Sequence, residues 1–164
     1  MDIWLNGGWI DLLALAAAVG SGLMAGLFFV FSNAIMRALS TLENERGMAA
    51  MQAINAVILN PLFMLLFVGT ALLCAVGLAT SLMREQQPGT TWLLSGSLLY
   101  LIGGFGITAV CNVPLNNRLA ALHAGSPEGR AFWLRYVSAW TKWNHVRTLC
   151  CVASLACFVL AAAA

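Results

Sequence analysis

Asparagine side chains, one histidine and one arginine recur near the ends of the apolar segments of this 164-residue chain. Asn112 and Asn116 are four residues apart, and Asn144 is three residues before Arg147, so each pair would share a helix face. His145 is the imidazole closest to an apolar segment, and imidazole exchanges a proton readily near neutral pH. A neutral imidazole can act as a general base, while amide and guanidinium groups can stabilise an oxyanion. These residue types therefore suit base-catalysed chemistry in a pocket.

A purely structural interpretation stays open for the same residues. Amides buried between helices can form a hydrogen-bonded network, and basic side chains can extend towards a membrane interface. Metal binding is disfavoured, because two histidines without a carboxylate at the same end of the apolar segments cannot supply the usual ligand sets. Haem ligation by His145 with a Met or His partner is left open, although no haem-attachment motif is present.

The elements that must position these residues are long apolar segments. The chain is 61% hydrophobic and 9% charged, which exceeds the roughly 45–50% apolar content of soluble domains. Four apolar segments are long enough to cross about 30 Å of hydrocarbon; they are Trp9–Phe31, Pro61–Met83, Trp92–Val113 and Thr148–Ala163. The sequence predicts an all-α integral membrane protein, a single domain folded as an antiparallel four-helix bundle.

Each apolar segment continues as a more polar helical pattern, which predicts helices near residues 9–42, 48–83, 91–123 and 129–163. Such helices exceed the bilayer thickness, so the bundle should extend into the cytoplasm. Asn60 and Pro61 admit two interpretations, because a proline can begin a helix or kink a longer one. Pro114 should remove the hydrogen bond to the carbonyl of Val110.

Charge and tryptophan positions predict the orientation. Seven basic residues flank one end of the segments, and Arg84 alone flanks the other. By the positive-inside rule the basic end is cytoplasmic and both termini are outside, in the cell (inner) membrane. Aromatic belts are predicted at two groups of tryptophans; the outer group is Trp4, Trp9 and Trp92, and the inner group is Trp133, Trp140 and Trp143.

Small residues predict close helix packing. Ala18, Gly22 and Gly26 recur every fourth residue in the first segment, and Gly96 and Gly103 are seven apart in the third. Membrane lipids are the expected surroundings, and a homo-oligomer is left open. The net charge of +2 is too small to suggest nucleic-acid binding.

Several stretches of the chain carry a resemblance to a known family. They are GSGLMAGLFFVFSNAIMRAL, MQAINAVILNPLF, NVPLNNRLA and WTKWNHVRT, and the last two are the most distinctive. They resemble the anthrone oxygenase-like membrane proteins, and the similarity runs from about Val19 to Thr148. The resemblance implies a four-helix membrane protein that oxidises an anthrone to an anthraquinone with molecular oxygen. No metal or flavin is implied, so no cofactor is expected, although haem or a quinone is not excluded.

On that resemblance, a mechanism can be assigned to the polar residues as a hypothesis. His145 would remove the acidic C–H proton of a flat, apolar phenolic substrate, and Asn116, Asn144 and Arg147 would stabilise the oxyanion. Asn112 and Asn55 would orient the phenolic groups of the substrate. Asn33 and Trp140 are also predicted to contact it.

Two other functions compete with the enzyme. A non-catalytic membrane module that binds lipid, quinone or haem, or that serves as a subunit of a complex, predicts a filled polar layer without a cavity. An enzyme predicts a pocket near the inner interface. A transporter or channel is disfavoured, because the segments contain no acidic residue beyond Asp11 near the start of the first, and no inverted repeat is visible.

Overall fold

The computed structural model describes residues 8–84 and 87–164, and the secondary structure within them is helical. Five helices follow one another along the chain; they are α1 (Gly8–Thr41), α2 (Asn44–Val57), α3 (Pro61–Met83), α4 (Thr90–Ala120) and α5 (Pro127–Ala162). The predicted outer tryptophan Trp4 lies outside the described residues. The all-α prediction is confirmed.

Four of these helices, α1, α3, α4 and α5, are long and apolar enough to cross a membrane. Leucines and valines project from them at 40 to 75% exposure, for example Val19, Leu65, Val110 and Leu149. Contiguous exposed apolar surface of this kind is rare in soluble monomers but normal against lipid. The chain is therefore a multi-pass membrane protein, as its composition predicts.

The four long helices form a ring in which α1 packs against α3 and α5, and α4 packs against the same two helices. Short connections make neighbours along the ring antiparallel. Hydrogen-bonding side chains begin two of the helices. The side chain of Asn60 accepts a bond of 3.0 Å from the backbone N–H of Phe63, and Ser126 accepts one of 2.9 Å from Gly129.

The start of α3 resolves the ambiguity at Asn60 and Pro61. Asn60 has extended backbone angles and caps the helix, and Pro61 occupies its first turn. Proline suits this position, because its missing N–H would have no helical partner there. The pattern predicted near residues 48–83 is thus two helices, α2 and α3, with a break between them.

Small residues bring α1, α4 and α5 close to their neighbours. A Cβ atom on Gly20 of α1 would lie 2.0 Å from Thr70 Oγ1, and one on Gly103 of α4 would lie 2.3 Å from Cys150 Cβ. Gly96 also faces α5, as its spacing from Gly103 predicts. Gly26 has open space beside it, so the stripe predicted on α1 does not run through that residue.

A second hydrophobic core extends the bundle beyond the membrane-spanning core. It joins the end of α1, α2, the end of α4 and the start of α5, and it includes Met48, Met51, Leu119 and Trp133. At 36 residues, α5 is about 54 Å long. The helices therefore extend past the bilayer, as predicted.

Two of the three tryptophans that were predicted to form the inner aromatic belt are buried inside the bundle instead. Trp133 is 1% exposed and Trp140 is 5% exposed, and both pack in the second core. Trp143, at 37% exposure, is the partly accessible one. The interior of the extended bundle needs large apolar side chains, and these two tryptophans supply them.

Wide π-helical turns interrupt α1 at Phe31–Ile35 and α4 at Leu99–Gly106 and Thr108–Asn112. The N–H of Val113 bonds to the carbonyl of Thr108, one residue further back than in an α-helix. This wider turn directly precedes Pro114, so the missing proline N–H is accommodated without a break in α4. Such π turns are frequent at functional sites.

Candidate functional site

A cavity of about 300 Å³ lies where the two hydrophobic cores meet, and all five helices contribute to its wall. Phe28 of the membrane core and Phe31 and Trp140 of the second core line it. Leu59 and Val113 also line it and are 65% and 40% exposed. The cavity therefore reaches the surface beside the break between α2 and α3.

Aromatic rings make up much of the cavity wall. The rings of Phe67 and Phe105 are stacked with centroids 5.1 Å apart, and Phe63 stacks on Phe67 at 5.5 Å. Phe31 and Trp140 contact each other at 5.7 Å on another part of the wall. Flat aromatic surfaces of this kind favour a flat, apolar ligand.

Arg147 is the cation of the cavity and is 4% exposed. Its guanidinium carbon lies 4.1 Å from the ring centroid of Phe28 and 5.2 Å from that of Trp140. Nη1 donates a 2.9 Å hydrogen bond to Thr108 Oγ1, and Nη2 donates to Asn144 Oδ1. No acidic residue pairs with it within residues 8–84 and 87–164. Its charge is therefore held by hydrogen bonds and aromatic faces.

Asn144 fixes the position of Arg147. It is fully buried, and its Nδ2 donates to the carbonyl of Phe28 at 2.6 Å and to Ser32 Oγ. Because this donor anchors the amide to α1, Asn144 Oδ1 is left to receive Arg147. The two residues are three apart, so they lie on the same side of α5, as predicted.

Asn116 and Asn55 belong to a second polar group on the cavity wall. Asn116 Oδ1 accepts hydrogen bonds from the Tyr136 hydroxyl at 2.8 Å and from Trp140 Nε1 at 2.9 Å. Asn55 Nδ2 donates to the Tyr136 hydroxyl at 3.4 Å. These bonds connect α2, α4 and α5.

Two buried polar atoms in the cavity wall have no hydrogen-bond partner in the described structure. They are Oδ1 of Asn112 and Nε of Arg147. Asn112 is 1% exposed, and its Nδ2 donates to the carbonyl of Trp140 at 3.3 Å. A buried unpaired donor or acceptor costs about 1–3 kcal/mol. Both atoms belong to side chains that line the cavity, but they lie beneath its surface, so a ligand would reach them after a small shift of these side chains.

The structure separates the predicted site residues into two groups. Five of the eight line the cavity, namely Asn55, Asn112, Asn116, Trp140 and Arg147, and Asn144 stands directly behind Arg147. His145 and Asn33 are exposed and do not line it. His145 instead lines a separate groove between α1 and α5.

The expected convergence of His145 with the asparagines is therefore wrong. Successive helical residues point about 100° apart, so burying Asn144 turns its neighbour His145 outward. The same rotation operates on α1, where Ser32 is buried and Asn33 is exposed.

The sequence analysis missed two polar contributors to the site, Thr108 and Tyr136. Thr108 and Ser32 hold Arg147 and Asn144, and Tyr136 bridges Asn55 and Asn116. Tyr136 lies four residues before Trp140, a spacing that could have indicated it. Thr108 also lies four residues before Asn112, but it occurs in an otherwise apolar segment.

The geometry defines a class of protein, a multi-pass helical bundle with an apolar cavity, in whose wall a buried arginine pairs with none of the described carboxylates. A family model described as anthrone oxygenase matches residues 63–157, more than half of the chain. The chain belongs to the anthrone oxygenase family, which confirms the resemblance. No curated protein and no solved structure matches it significantly.

Proposed function

We propose that this protein is a membrane oxygenase that converts a flat, apolar, hydroxylated anthrone to the corresponding anthraquinone. The observation that carries the proposal is the buried pair of unpartnered atoms, Arg147 Nε and Asn112 Oδ1, in an aromatic-walled cavity. The cavity volume is at the lower end of the range of about 300–1,000 Å³ that small-molecule sites occupy.

The chemistry starts with ionisation of the substrate. The enol form of an anthrone is a phenol-like hydroxyl, and a nearby guanidinium favours its anion, whose proton passes to water. Molecular oxygen then takes electrons from the ring carbon opposite the oxyanion, and a C–O bond forms to give a hydroperoxide. Loss of water breaks the O–O bond and removes the remaining C–H proton, leaving the second carbonyl. One O₂ and one anthrone yield one quinone and one water.

Arg147 supplies the electrostatic part of this reaction. Its guanidinium would donate to the oxyanion, and the aromatic surroundings lower the local dielectric constant, which strengthens the interaction. Asn144 is a positioning residue, because it acts on the substrate through Arg147. The described residues that line the cavity include no carboxylate, imidazole or lysine, so water would accept the proton that His145 was expected to take, and Arg147 would stabilise the anion that remains.

The asparagines and Trp140 orient the substrate. Asn112 Oδ1 would accept a hydrogen bond from a phenolic hydroxyl, and Trp140 would pack against the ring system. Asn116 accepts from both Tyr136 and Trp140, so it fixes the Trp140 ring. Asn55 lies at the same wall and would contact a second hydroxyl.

The substrate would enter from the lipid, since Leu59 and Val113 are exposed on the apolar surface at the mouth of the cavity. Because Arg and Lys are concentrated at one end of the bundle, we propose that this end faces the cytoplasm and that both termini lie outside the cell membrane. The chemistry needs no metal or organic cofactor, and the visible absorbance of the purified protein tests that expectation.

Oxygen consumption tests the proposed function. Reconstituted protein supplied with a dihydroxyanthrone should consume O₂ and form quinone in equal amounts, faster than protein-free vesicles. Replacing Arg147 with Gln removes the cation and should lower the rate by about 10²–10³-fold, as loss of an oxyanion-stabilising donor does elsewhere.

Arg135→Gln is the matched control, because Arg135 is an exposed arginine of the same helix. It should leave the rate near that of the wild type. Equal rates in Arg147→Gln and wild type would contradict the proposal, and quinone binding without turnover would support the non-catalytic alternative.

A further inference from the structure

A groove of about 440 Å³ runs between α1 and α5 on a different face from the cavity. Three basic side chains line it, those of Arg37, Lys142 and His145. All three are exposed, and no acidic residue contributes to the groove. It is therefore a concentrated positive surface on a chain whose net charge is only +2.

No acidic side chain among the described residues neutralises the positive charge in the groove. Within the described residues, the recorded ion pair joins Arg46 to Glu43, and it does not involve the groove. The hydroxyl groups of Ser138 and Thr141 stand beside the cations. Thr141 Oγ1 is buried and lacks a hydrogen-bond partner. Cations interleaved with hydroxyl donors are a typical arrangement for binding a phosphate group.

An apolar surface continues the groove towards the middle of the membrane. On α5, Leu149 lies one turn beyond His145 and is 70% exposed, and Val152 follows at 49%. On α1, which runs antiparallel, Phe29 lies two turns before Arg37 and is 55% exposed. The positive region and the apolar strip together match a molecule with an anionic head and an acyl chain.

We propose that this groove binds the phosphate headgroup of an acidic phospholipid, with an acyl chain along Phe29, Leu149 and Val152. A free phosphate shares the head chemistry but leaves the apolar strip uncovered, so the groove favours the lipid. Basic pockets between membrane helices bind acidic headgroups by the same physics. The site is separate from the cavity and does not depend on the proposed oxygenase activity.

Lipid retention tests the proposal on the full chain. The protein is reconstituted in discs of phosphatidylcholine and phosphatidylglycerol in equal amounts, and the phospholipids that remain bound after mild delipidation are counted by native mass spectrometry. The wild type should retain phosphatidylglycerol in preference to phosphatidylcholine by roughly 30-fold, the value expected for two basic residues at an anionic surface. The double variant Arg37→Gln/Lys142→Gln should lose most of that preference.

A matched double variant controls for general charge attraction. Arg130→Gln/Arg135→Gln removes the same charge from exposed positions on α5 outside the groove. It should retain the wild-type preference, and both double variants should show the wild-type helical circular dichroism. The proposal is overturned if both lose the preference equally, if the groove variant keeps it, or if millimolar inorganic phosphate displaces phosphatidylglycerol from the wild type.

Discussion

Arg147 and Asn112 each bury a polar group that the protein does not satisfy. A guanidinium in a low-dielectric bundle without a carboxylate partner is costly, and two aromatic faces offset only part of that cost. The unpartnered Nε and Oδ1 belong to side chains that line one cavity, and in the proposed function a ligand with an oxyanion and a hydroxyl would pair with both.

Asn112 should therefore accept a hydrogen bond from the phenolic hydroxyl of the substrate. Asn112→Leu keeps a similar volume but removes the acceptor, so kcat/KM for a hydroxyanthrone should fall by roughly tenfold, the value of one neutral hydrogen bond. For an unsubstituted anthrone, which has no hydroxyl to donate, the fall should be much smaller. Steady-state kinetics with the two substrates measure this difference. An equal loss with both would contradict the role.

Residue type and spacing predicted most of the polar residues of the cavity wall but none of its phenylalanines. Asn112 and Asn116 are correctly paired by their four-residue spacing, and Arg147 is correctly linked to Asn144. The prediction for His145 was wrong, because the sequence indicates how deep this residue lies in the membrane but not which way α5 is rotated about its axis. That rotation is set by Phe28 and Ser32 of α1, which bind Asn144 and so determine the face that α5 buries. Such tertiary contacts cannot be found in one segment alone.

Close approach between helices depends on single glycines. Gly20 lies directly against Thr70, whose hydroxyl is held by a 2.6 Å bond to the carbonyl of Leu66. Gly26 occupies the same helix with open space beside it. The four-residue repeat predicts a small-residue face on α1, but it does not predict which glycine meets a neighbour.

Alanine at these two glycines should have opposite effects on stability. Gly20→Ala pushes a methyl group against Thr70 and should lower the free energy of unfolding by about 1–3 kcal/mol. Gly26→Ala adds a methyl group in free space and should raise it by up to about 1 kcal/mol through higher helix propensity. Thermal unfolding in the same detergent compares them, and equal shifts would argue against the packing of α1 on α3.

The wide turns of α4 also escaped prediction. Pro114 indicated that one backbone hydrogen bond of the helix is lost, but the apolar residues before it do not distinguish an α-helix from a π-helix. In the structure, the wide turns Leu99–Gly106 and Thr108–Asn112 include the cavity-lining residues Phe105, Thr108 and Asn112. The helix geometry therefore contributes directly to the shape of the site.

The whole molecule consists of a membrane core and an extended core, and the cavity lies at their junction. Composition and hydropathy predicted the four crossings and the extension of the helices, since both follow from segment length. The junction could not be predicted, because it requires knowing that Trp133 and Trp140 turn inward and that α2 ends before Asn60. The break beside Asn60 also gives the cavity its opening to the lipid-facing surface.

Occupancy of this cavity by a flat phenolic ketone is the central claim, and equilibrium binding of a hydroxyanthraquinone to the reconstituted protein tests it without requiring turnover. The wild type should bind one molecule per chain above the partitioning seen in empty lipid discs. Ala109→Phe, which fills the cavity at a lining residue, should weaken binding by at least about tenfold. Equal binding by the two proteins, or partitioning no greater than in empty discs, would show that the cavity does not hold such a molecule.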